Sequence, residues 1–84
     1  MKLTDLTRGT VVDTPARVGV ITYPPGSISG RPLDIRVELH RKQGLPGYIG
    51  SHYSARDVLA LNRDGPVIDC AGDPRAIDPD RFTV

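Results

Sequence analysis

The chain has no tryptophan, one phenylalanine, one methionine and one cysteine in 84 residues. The lone Cys70 excludes an internal disulfide and any zinc site built from several thiolates. With no histidine near it in sequence, Cys70 reads as a small residue close to a strand end, not as a nucleophile or redox thiol. No apolar run approaches the roughly 20 residues that a membrane helix needs. The first residues, Met1-Lys2-Leu3-Thr4-Asp5, lack the apolar stretch of a secretory signal. The expected location is the cytoplasm.

What is present fits one small globular domain: 38% of residues are apolar and 25% charged. A chain of this length buries only a limited core. Net charge is +1, unevenly spread: residues 1–63 are mildly basic, and residues 64–84 hold five aspartates against two arginines. Nine of the eleven cations are arginine, which suits a GC-rich genome such as that of an actinobacterium or one of its phages.

Extended runs dominate. Strands are expected at about residues 10–14, opened by Gly9, then at 17–23, 33–40 and 48–53, with a further one at 67–70. The clearest is the third: Leu33, Ile35, Val37 and Leu39 alternate with Asp34, Arg36, Glu38 and His40. One face should be buried and the other should meet solvent or a partner. In the second strand, Val18, Val20 and Thr22 are expected on one face, and Gly19, Ile21 and Tyr23 on the other. Gly19 inside that strand signals a bulge or a corner of close backbone approach. Pro24-Pro25-Gly26 predicts a type II turn opening a long loop to Pro32. Residues 41–47 form a second loop. Ser54, with Asp57 three residues on, predicts one capped helical turn, and Asn62-Arg63-Asp64-Gly65 another turn. Two Asp-Pro steps punctuate the tail, and its Ile77, Phe82 and Val84 suggest that part of it docks.

The order of Gly9-Thr10-Val11-Val12, Arg17-Val18-Gly19-Val20-Ile21 and Ala55-Arg56-Asp57-Val58 resembles an SH3-like barrel over about residues 8–62. Its first hairpin is loosely similar to a KOW element. The resemblance implies an all-β fold: a small five-stranded barrel over 1–71 with a short 3₁₀ or helical turn, followed by an acidic, Pro-containing extension over 72–84. KOW and Tudor relatives bind nucleic acid, ribosomal or transcription partners, or modified peptides. The stacked aromatic groove of a proline-binding SH3 domain is missing here.

No catalytic constellation assembles. Gly44-Leu45-Pro46-Gly47-Tyr48-Ile49-Gly50 lacks the Lys-Ser/Thr and the helix of a phosphate loop. His40 and His52 lack a third metal ligand, and the aspartates of the tail lack the calcium-loop pattern. The expectation is a non-catalytic interaction module without cofactor or metal, such as a small accessory protein of a phage or an actinobacterium. It would bind a protein through a strand edge and the loops at 24–32 and 41–50, with Tyr23, Ile28, Tyr48 and Tyr53 as anchors and Arg31 at the rim. The alternative is nucleic-acid binding through Arg17, Arg36, Arg41 and Lys42. Asp34 and Glu38 interrupt that basic stripe, and the sequence pI near 7.9 is low for the role.

Overall fold

The computed structural model describes residues 1–41 and 47–64. A 3₁₀ turn at Leu3–Asp5 leads into β1 (Val11–Val12), β2 (Gly19–Tyr23), β3 (Asp34–His40), β4 (Tyr48–Ser54) and α1 (Ala55–Leu61). The strands form one antiparallel sheet in the order β1-β2-β3-β4. Among the described residues this sheet is open and four-stranded, so the closed five-stranded barrel is not what they form. The strand expected at 67–70, the boundary at 71 and the extension at 72–84 lie outside them. No helix among the described residues is long and apolar enough to cross a membrane.

Period-two alternation sets one face of the sheet. Val12, Ile21, Ile35, Val37 and Leu39 cluster with Leu6 of the lead-in and with Ala55 and Val58 of α1, and Met1, Tyr53 and Leu59 pack against them. Gly19 belongs to this face. A Cβ there would meet the Leu39 side chain, Val37 Cγ1 at 2.5 Å and the Glu38 carbonyl oxygen at 2.7 Å. The expected close approach is therefore present at Gly19.

The bulges fall elsewhere. Gly9, at φ +89°, donates its N–H to the Ile21 carbonyl at 2.8 Å, while Ile21 N–H bonds the Thr10 carbonyl at 3.0 Å. Two residues thus oppose one, with glycine in the left-handed position. A second irregularity lies between Ile21 and Tyr23, where Tyr23 pairs with Arg36. It moves Tyr23 to the face opposite Ile21, which corrects the alternation expected from the sequence.

The loop from 24 to 33 is built from turns. Ser27 N–H bonds the Pro24 carbonyl at 3.1 Å with Gly26 at φ +85°, the type II turn that the sequence predicts. Turns Ile28–Arg31 and Arg31–Asp34 follow, and Gly26 N–H to the Pro32 carbonyl at 3.0 Å closes the loop. Helix α1 runs for seven residues, longer than the single turn expected. Ser54 holds the extended N-cap position, but its side chain makes no capping bond. The buried Asn62 ends the helix. Its Nδ2 donates to the Val58 carbonyl at 2.6 Å and the Asp13 carbonyl at 3.0 Å, and its Oδ1 accepts Asp13 N–H at 2.8 Å. One side chain thereby ties the end of α1 to the end of β1.

Candidate functional site

The edge of β4 is defined by its hydrogen-bond alternation. Arg41 N–H to the Gly47 carbonyl at 3.3 Å and Ala55 N–H to the Leu33 carbonyl at 2.8 Å bracket the β3–β4 ladder. Both fall in register with its seven pairs. Antiparallel pairs alternate between hydrogen-bonded and non-bonded. Ile49, Ser51 and Tyr53 therefore turn their N–H and C=O toward β3, and Tyr48, Gly50 and His52 turn theirs outward. Among the described residues no strand lies beyond β4.

The polar face of the sheet meets this edge at Gly50. Register places Asp34, Arg36, Glu38 and His40 of β3 beside Ser54, His52, Gly50 and Tyr48 of β4. The sequence predicts that this face meets solvent or a partner, and on it Glu38 is only 1% exposed. Arg36 Nε donates to Glu38 Oε1 at 2.8 Å, an ion pair with one buried partner and one 36% exposed partner. The Arg36 guanidinium lies across β4 where Gly50 lacks a side chain. A Cβ at Gly50 would meet the Nη2 atom and would sit 2.7 Å from Nε and 2.8 Å from Cζ. Tyr23 flanks the same group, its ring centroid 5.8 Å from Arg36 Cζ. The His40 and Tyr48 rings pack at 5.0 Å between centroids, tilted by 53°.

The anchors expected from the sequence do not form one patch. Tyr23 and Tyr48 share the polar face, but they lie beside Arg36 and His40, roughly 13 Å apart along β3 by strand rise. Tyr53 lies on the opposite face against the core. Ile28 is half-buried in the turn-rich loop, and the exposed Arg31 pairs with Asp34 at 3.6 Å. Of the basic residues, Arg17 is half-buried in the β1–β2 turn, where the Thr14 hydroxyl donates to its carbonyl. Arg41 is exposed beyond β3, and Lys42 lies outside the described residues. Gly50 and Glu38 were not among the expected site residues. The signal for the first is a glycine inside an edge strand, which marks close approach of another group.

Two further surfaces are apolar. A groove of about 410 Å³ is lined by Leu3, Leu33, Ser54, Ala55, Arg56 and Leu59. Ile49, 44% exposed, opens beside the core face at the β4 edge. Among the described residues, no three His, Cys, Asp or Glu side chains gather as a metal site would require.

Among the described residues, fold and site define a small antiparallel meander, capped by one helix, with β4 as an edge strand beside an ion-paired polar face. No protein-family model, curated protein or solved structure matches the chain.

Proposed function

We propose that this chain is a non-catalytic protein-interaction module that takes an extended segment of a protein partner as an added strand along β4. The observation that carries this reading is the outward-facing backbone of Gly50 and His52 on a seven-residue edge strand. Main-chain hydrogen bonds would supply affinity, and side chains alternating across the edge would supply selectivity. The long loop after β2 and the helix after β4 support an SH3-like arrangement for the scaffold. The anchors shift accordingly: Ile49, Tyr53 and Arg36 border the added strand, whereas Ile28 and Arg31 stand off it in the 24–33 loop.

The test is His52→Pro. It deletes an outward N–H and leaves the ladder to β3 intact, because proline is tolerated where an edge strand's N–H faces solvent. A displayed library of extended peptides panned on the wild type should yield binders that shift the Gly50 and His52 amide resonances. His52→Pro should stay folded and lose them. Binders that leave both amides unmoved, or that bind His52→Pro equally well, would refute strand addition.

A further inference from the structure

Building on the strand-addition reading, we infer that the partner segment has the pattern apolar–acidic–apolar, with its carboxylate opposite Gly50 and received by the Arg36 guanidinium. Three observations support this.

The first is the direction of the Arg36 side chain. Its Nε is held by Glu38, which fixes the plane of the group. Its Nη2 atom lies where a Gly50 Cβ would stand, on the strand that forms the sheet edge among the described residues. The Arg36 side chain is 36% exposed, so part of it meets solvent. Guanidinium and carboxylate match as planar, charge-assisted hydrogen-bonding partners. The Tyr23 ring, whose centroid is 5.8 Å from Cζ, flanks the guanidinium from the β2 side.

The second is register. Gly50 turns its N–H and C=O outward, so an antiparallel incoming strand places one residue directly opposite it. That residue's side chain projects on the same face as its partner's. Gly50 has no side chain to occupy this position, and the face there is that of Arg36 and Glu38. The position opposite Gly50 is therefore within reach of Arg36.

The third is the other face. The neighbours of the acidic residue lie opposite Ile49 and Ser51 and project onto the core side, the face of Leu39 and Val37. Ile49 is 44% exposed, and apolar side chains flanking the acid would cover it. Exposed Arg41 stands beyond one end of β4, and at the other end exposed Arg56 is followed by exposed Asp57.

The experiment titrates the full chain with two blocked pentapeptides, Thr-Val-Glu-Val-Thr and Thr-Val-Gln-Val-Thr, and follows backbone amides by NMR. Both should move Gly50 and His52, and the glutamate peptide should bind about tenfold more tightly. In Arg36→Lys the charge remains but the planar fork is lost, and the preference should shrink. In Arg36→Gln, with folding checked by the amide spectrum, it should vanish. Equal binding of the two peptides to the wild type, with Gly50 and His52 shifting, would overturn the acidic pattern and leave strand addition standing. A glutamate preference that survives Arg36→Gln would overturn the assignment to Arg36. No shift of Gly50 or His52 with either peptide would overturn strand addition itself.

Discussion

At the scale of single residues, the buried Glu38 carboxylate is the sharpest energetic fact in the molecule. A charge that is 1% exposed is tolerable only when paired, and its partner is the half-exposed Arg36. Removing the partner leaves the carboxylate stranded. Arg36→Met should destabilise the fold by about 2–3 kcal/mol in urea unfolding, below the figure for a fully buried pair because solvent reaches Arg36. Arg36→Met combined with Glu38→Leu should recover most of that loss, since apolar side chains of similar volume can replace an ion pair. If the double variant is no more stable than Arg36→Met alone, the pair is not what makes Glu38 tolerable. Gly19 poses a simpler steric case. A Cβ there has the Glu38 carbonyl and two core side chains within 2.7 Å, and the backbone cannot yield far. Gly19→Ala should cost about 2–3 kcal/mol as an overpacked site. A thermal midpoint equal to that of the wild type would show that the sheet opens there easily.

Among the elements, α1 depends on a contact that its own sequence does not announce. Its seven residues are too few to hold a helix in isolation, so docking must do so. Ala55 and Val58 provide the apolar part, and Asn62 the polar part by bonding both Val58 and Asp13. Asn62→Ala should cost about 2 kcal/mol, because it takes the side-chain partner from the part-buried Asp13 N–H and carbonyl. Hydrogen exchange should quicken at the Asp13 amide and along α1, and barely change at Ile35 and Val37. Uniform quickening across the sheet would mean that the clamp is not local. Asn62 also shows why some of the fold was legible in the sequence and some was not. The β3 alternation, the Pro24–Ser27 turn and the start of the helix after Ser54 are written in neighbouring residues. A partner 49 positions away is not, so Asn62 reads as an ordinary turn residue. The same holds for Tyr23. Strict alternation assigns it to the core face, and only pairing with β3 reveals the irregularity that turns it toward Arg36. Of the candidate site, the alternation that puts Arg36 and Glu38 on one face of β3 is readable, although the sequence offers Arg36 only as a cation for nucleic acid. Which backbone groups face outward at Gly50 and His52 depends on register, which no local pattern specifies.

For the whole molecule, the issue is whether its arginines act as a field or as individual contacts. Nucleic-acid binding needs cations that are free to replace counterions along a phosphate backbone. Arg31 pairs with Asp34, and Arg36 pairs with Glu38 through Nε, so both add little net charge to a continuous field even where Arg36 makes a single directed contact. Arg17 is half-buried, whereas Arg41 is exposed. This spacing suits a few directed contacts to a protein segment better than a continuous basic track. The two readings separate by salt. If Arg17, Arg36, Arg41 and Lys42 all contacted a single strand, log affinity would fall against log salt with a slope of about −3, from roughly 0.7 per contact. Fluorescence anisotropy with labelled single-stranded RNA and DNA should instead give weak binding and a slope no steeper than about −1. Binding to an acidic peptide, which needs one charge pair and several main-chain hydrogen bonds, should depend only mildly on salt. A slope near −3 that collapses in Arg41→Gln/Lys42→Gln would make the basic face the functional surface, with the β4 edge reduced to an unpaired margin of the sheet.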